Sequence, residues 1–149
     1  MVPVFQVGSN LSTFTREISF EDMVEFEQVV WARDANAHND AEVAKRDGLV
    51  KPLASGQTQM ALLHELLEKS FGDGWVYGGK ISVRYIRPVY AGDRLTPHGV
   101  VSAINAENGA PQFVLDVWCE NQDGQKTAAG TAHVGQPTQK MSWIEGAQA

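Results

Sequence analysis

Residues 55–71, reading SGQTQMALLHELLEKSF, constrain the fold more than any other stretch of the chain. Met60, Ala61, Leu62, Leu63, Leu66, Leu67 and Phe71 recur at helical spacing and leave little of the circumference polar. A helix of that kind is swallowed by its surroundings rather than laid on a surface. Pro52 bars the helix from beginning earlier, Ser55 is the expected N-cap, and Gly72 to Gly74 end it. Everything after Trp75 reads as strands. The expected architecture is therefore α+β: one long central helix gripped by a curved antiparallel sheet.

The segments before the helix are less regular. Met1 to Asn10 is an apolar lead-in, a strand or an arm. Residues 13–18 alternate, with Arg16 in an apolar slot, as a short edge strand would. Ser19 caps a helix with Asp22 three residues on, and Phe20, Met23, Val24, Phe26, Val29, Val30 and Trp31 supply a broad apolar face. That helix fails near Arg33, in the polar run ARDANAHNDAEVAKRDG, where Asp40 can cap a further short helix ending at Gly48.

Four strand segments follow the central helix: 75–89, 94–104, 112–121 and 126–134. Gly78 and Gly79 mark a bulge or a close backbone approach in the first. Turns fall at 91–93, 108–110 and Asp123–Gly124. In the third strand Phe113, Leu115, Val117 and Cys119 share one face. The chain reads as one domain over residues 1–149, with its core in about 13–135 and a loose tail at 136–149 from which Met141, Trp143 and Ile144 can dock. A sheet with two open edges and a thin outer core favours pairing with a second copy, so a homodimer or higher oligomer is expected.

Charge narrows the partners. Twelve Lys and Arg against 18 Asp and Glu give a net charge of −6, with no basic run, which argues against nucleic acid and anionic membrane. Cys119 is the sole cysteine, so no internal disulfide can form and a reducing compartment is indicated. With no signal pattern and no apolar run near the roughly 20 residues a membrane span needs, a cytoplasmic location is the expectation.

Three segments resemble one family. Asp34, Asn36, His38 and Asp40 in RDANAHNDAEVA are similar to an Asp-x-Asn-Pro-x-His-x-Asp pattern. Here Asp34 and His38 are four steps apart instead of five, and Ala37 follows the asparagine instead of proline. Gly48 to Gly56, GLVKPLASG, is similar to Gly-x-Pro-[IV]-Ala-[HS]-Gly at the start of a buried helix. Arg87 to Leu95, RPVYAGDRL, is similar to a Pro-Val-x-x-Gly-Asp-x-Leu turn. Together they resemble the MaoC-like dehydratases of the hotdog fold, which include the (R)-specific enoyl-CoA hydratases.

The resemblance implies a hydro-lyase that adds or removes water across the α,β double bond of an enoyl or β-hydroxyacyl thioester, carried on CoA or acyl carrier protein. It implies no metal or redox cofactor. Asp34 and His38 would hold the water as an acid–base pair, with Asn36 ordering the loop. The Gly56 N–H at the helix N-terminus would stabilise an enolate oxygen. Ser55 would cap the helix or add a hydroxyl to the site, and Arg84, Arg87 and Lys80 are placed to meet phosphates of the carrier arm. Each reading has a plainer rival: a polar loop simply contains Asp, Asn and His, every helix has an N-terminus, and scattered cations are usually solvated. Two other functions fit the same residues. One is a non-catalytic hotdog subunit of a heteromeric hydratase. The other is a hotdog thioesterase, dehydratase or isomerase acting on a secondary-metabolite intermediate, with Trp75, Tyr77, Tyr85, Phe113 and Trp118 as candidate pocket aromatics. His64, His98 and His133 read as surface or strand-face residues, and Cys119 as a buried structural thiol.

Overall fold

A computed structural model describes residues 4–31, 34–107 and 109–135. The expected tail over 136–149, with Met141, Trp143 and Ile144, lies outside the described residues, as does Arg33, where the first helix was expected to fail. The elements run β1 (Arg16–Glu17), α1 (Phe20–Trp31), α2 (Ala41–Arg46), α3 (Gly56–Phe71), α4 (Asp73–Val76), β2 (Lys80–Tyr85), β3 (Arg94–Glu107), β4 (Ala110–Glu120) and β5 (Lys126–Gly135). The five strands form one antiparallel sheet in the order β1-β3-β4-β5-β2. The expected arrangement of a sheet wrapped round a long helix is the one found.

Helix α3 is held at both ends as its sequence dictates. The Ser55 hydroxyl accepts the Gln57 N–H, and Gly72, with a φ of 52°, closes the C-terminus. Leu63, Leu66, Leu67 and Phe71 are fully buried and pack against Val101, Leu115, Val117, Ala132 and Val134 of the sheet. The helix is not enclosed all round, however. Gln57, Ala61, His64 and Glu68 form an exposed stripe at helical spacing, because the sheet covers one side only. Gln59 lies on the covered side and is as buried as the leucines.

Helix α1 departs further from expectation. Its capping box forms: Ser19 Oγ accepts the Asp22 N–H, while Asp22 Oδ2 accepts from the Ser19 N–H and hydroxyl. Its apolar face, though, is largely open. Phe20, Val29, Val30 and Trp31 are exposed, and the buried positions are Met23 and Glu27. Met23 joins Ile18, Ala54, Leu62, Val89 and Leu95 in a second core cluster at the N-terminal end of α3. Met23 and Glu27 mark the buried side of the helix, while Phe26 and Val30 line a shallow groove with Gln57, Met60 and Ala61 of α3.

Residues 75–89 are not one strand. Trp75 belongs to α4, and only Lys80–Tyr85 pairs in the sheet. The expected close approach at Gly79 is real: a Cβ there would meet the Trp75 ring at 2.1 Å, so the indole lies against bare backbone. The edge strand expected over 13–18 is reduced to Arg16–Glu17, with Thr15 Oγ1 and Thr96 Oγ1 hydrogen-bonded beside it. The lead-in continues that edge. Gly8 and Leu11 donate to Val101 O and Gly99 O, and Phe5 packs on Phe71 and Phe113. The β3 edge is thus covered over residues 94–101, whereas no described residue pairs with β2 along its outer side. No helix of the described residues is long and apolar enough to cross a membrane.

Candidate active site

A cavity of about 320 Å³ opens over the second core cluster, between the N-terminal turn of α3 and the segment that follows β2. Its wall is apolar over Leu53, Ala54, Ile86, Pro88 and Val89. Its polar members are His38, the Gly56 backbone, Gln59, Tyr85 and Arg87. An apolar cleft with a few convergent polar groups is the usual form of a small-molecule site.

His38 reaches the cavity because its loop is tied down on both sides. Asp40 caps α2 by accepting the Glu42 and Val43 N–H groups. Asn36 O accepts the N–H groups of Asn39 and Asp40, and Asn36 Oδ1 accepts the His38 N–H at 2.8 Å. The loop then docks on the chain leading into α3, where the Leu53 N–H donates to Ala37 O. His38 Nδ1 lies 2.6 Å from Leu53 O. A carbonyl can only accept, so Nδ1 carries a proton, and in the neutral ring the lone pair is on Nε2. That is the tautomer a general base needs.

Gly56 supplies the complementary group. It is the first residue of α3, where an N–H has no intrahelical acceptor, and none of the described residues accepts its hydrogen. A Cβ on Gly56 would meet the Tyr85 ring at 2.7 Å, so a side chain there would displace the aromatic wall of the cavity. Burial, and secondarily the neighbouring Cys119, push the Tyr85 phenol above its ordinary value of 10.0, so it remains a neutral hydroxyl.

The expected site residues are therefore only partly brought together. His38 and Gly56 share the cavity. Asn36 lies behind His38 and holds its backbone. Ser55 is committed to capping. Arg87 lines the cavity mouth, its Nη1 donating to Lys126 O, while Arg84 is exposed on β2. Asp34 is exposed at the base of the loop and is not part of the cavity wall. Its carbonyl accepts from Asn36 and Asn39. Of the candidate aromatics only Tyr85 lines the cavity. Trp75 and Phe113 are in the main core, Tyr77 is exposed, and Trp118 stacks on His98 at 5.0 Å between centroids, with Lys126 over its ring.

Two residues of the site were not anticipated. Glu27 is 1% exposed, and its Oε2 accepts from Asn36 Nδ2 at 3.3 Å. Its Oε1 has no partner among the described residues. It continues the chain Glu27–Asn36–His38 into the core. Gln59 is 3% exposed and lines the cavity, with Oε1 accepting from the buried Thr127 hydroxyl at 2.7 Å. The signal available for both was a polar residue standing among apolar ones on a helix face.

Comparisons with known proteins show the family and the fold. The sequence model of the MaoC like domain matches residues 7–114, well over half of the chain, which places the protein in the MaoC-like domain family. Solved structures show the same hotdog fold. The unliganded R-hydratase PhaJ1 from Pseudomonas aeruginosa superposes with a TM-score of 0.75 at 23% identity, over 91% of this chain and 84% of that one. The (R)-hydratase from A. caviae involved in PHA biosynthesis gives 0.73 at 22%, over 89% and 98%. The ChsH1–ChsH2 complex from Mycobacterium tuberculosis gives 0.73 at 20%, over 89% and 99%. A proline–tRNA ligase from Clavibacter sepedonicus is 27% identical over 101 residues. That match takes in 60% of this chain but only 17% of the ligase.

Proposed function

We propose that the chain is a hydro-lyase acting on an enoyl or 3-hydroxyacyl thioester of CoA or acyl carrier protein. The observation that carries this is the pairing, on one apolar cavity, of a histidine with a free Nε2 and a helix-N-terminal glycine with a free N–H. In the hydration direction His38 Nε2 takes a proton from water as the water oxygen bonds to C3. The C2–C3 π electrons shift toward C2, and negative charge develops on the thioester oxygen, which the Gly56 N–H receives. C2 then takes that proton back from the His38 imidazolium, which returns to the neutral base with water added across the double bond, and dehydration is the reverse. Asp34 enters as the second acid–base group and Arg84 and Arg87 as cations for the carrier phosphates. Family membership and the named hydratases of like fold support this reading.

The test is direct. Purified protein is mixed with crotonyl-CoA and longer enoyl-CoAs, and loss of the conjugated enoyl absorbance is followed. His38→Ala and Asp34→Asn are each expected to lower kcat/KM about 10²- to 10⁴-fold, the usual worth of a general acid–base group. Absence of turnover at every chain length sinks the proposal. The exposed position of Asp34 favours one second reading: a catalytically silent partner of another hotdog chain. Stable co-purification with such a chain, together with activity only in the pair, would establish it.

A further inference from the structure

Resting on the hydratase reading for its thioester, one feature of the cavity points to the acyl group itself. Gln59 lies one turn into α3 from Gly56, about 4.5 Å further along the helix at 1.5 Å per residue. It stands among Leu53, Ala54, Ile86, Pro88 and Val89, and its side chain is 97% withdrawn from solvent. Its Oε1 is spent on Thr127 Oγ1, a hydroxyl that is itself fully buried. No described residue accepts from its Nε2. A site made for a plain alkyl chain has no use for that group, because an apolar chain packed against it strands two N–H donors out of water.

We propose that Gln59 is a specificity-determining residue and that the acyl group bound here carries an oxygen acceptor, a keto or hydroxyl group, beyond the reacting double bond. Nε2 donates to that oxygen while Oε1 stays on Thr127. At roughly 30 Å³ per non-hydrogen atom, the share of one water in the liquid, the cavity accepts about ten such atoms, enough for a medium-length chain with one oxygen. A pocket that hydrogen-bonds a substrate oxygen rejects the analogue lacking it far more strongly than a hydrophobic pocket separates chain lengths.

Binding of saturated CoA esters, which cannot be hydrated, tests this without depending on catalysis. Octanoyl-CoA is compared by calorimetry with its 5-, 6- and 7-oxo and hydroxy derivatives. The wild-type protein is expected to bind at least one oxygenated ester tenfold or more tightly than octanoyl-CoA. Gln59→Leu is expected to level or invert that ratio. The double variant Gln59→Leu with Thr127→Val removes both partners of the buried bond and guards against a folding defect in the single one. Tightest binding of octanoyl-CoA, an unchanged ratio in both variants, or no binding of any ester overturns the proposal. Crotonyl-CoA turnover is read separately. A protein that shows this preference but hydrates nothing loses the hydratase reading and keeps this one.

Discussion

At Gly56 a single hydrogen in place of a methyl group keeps the Tyr85 ring against the helix start. The clashing atoms are the far end of a half-exposed side chain, so a Gly56→Ala protein folds by swinging the ring aside. Denaturant unfolding is expected to change by less than about 1 kcal/mol, while crotonyl-CoA turnover falls about 10²-fold as the N–H is crowded and the cavity reshaped. We propose Glu27 as a positioning residue for His38. It touches Asn36, and Asn36 holds the His38 backbone. Glu27→Gln keeps an oxygen for Asn36 Nδ2, so it is expected to retain activity, while its amide N–H groups fall where Oε1 has no partner among the described residues and cost about 1 kcal/mol or more of stability. Glu27→Leu removes the acceptor and is expected to lower kcat about tenfold in a folded protein. Loss of activity in both variants alike would refute the positioning role. Glu27 and Gln59 escaped sequence reasoning because burial is not written in residue type: a lone Glu or Gln on a helix suggests a solvent-facing position until its neighbours are placed.

Among the elements, α3 was the most legible, since its leucine spacing, Ser55 cap and terminal glycine all agree on one reading. The loop carrying His38 was legible for the same reason, through the Asp40 cap and the Gly48 stop, where φ is 85°. Helix α1 misled because an apolar residue on a helix does not oblige the fold to bury it; among its described residues Met23 and Glu27 are the buried ones. Residues 75–79 misled because aromatic and glycine content suit a strand, but Trp75 packs better on the bare backbone of Gly79. Strand β4 carries a pH prediction. Cys119 faces the core and its thiol is pushed up to about 12 by burial, from an ordinary 9.0. Above pH 9 the unfolded chain gives up this proton and the folded one keeps it, so stability is full below 9 and falls as pH rises toward 12. The contribution reaches at most about 1.4 kcal/mol per pH unit. Subtracting unfolding curves of Cys119→Ala from wild type between pH 8 and 11 should reveal that slope. Parallel curves would show that the thiol titrates as freely in the folded state as in the unfolded.

For the molecule as a whole, the sheet wrapped round a helix followed directly from the order of apolar segments, whereas the asymmetry of its two edges did not. The described lead-in residues pair with β3 through three backbone bonds, at Gly8, Ser9 and Leu11, a pattern too sparse to announce itself in sequence. With no described residue pairing along the outer side of β2, we propose association of two copies across that edge. Sedimentation equilibrium is expected to give twice the 16.3 kDa chain mass at micromolar concentration; a monomer at that concentration would end the proposal.

The coverage of β3 has a further consequence. Two fully bare edges would let each copy recruit another at either side, and the sheet would grow without limit. Among the described residues only β2 offers a whole unpaired strand, so two copies joined there would use up the available template. In the proposed dimer, residues 8–11 would thus act as a terminator, limiting the size of the assembly from a place away from the joined edge.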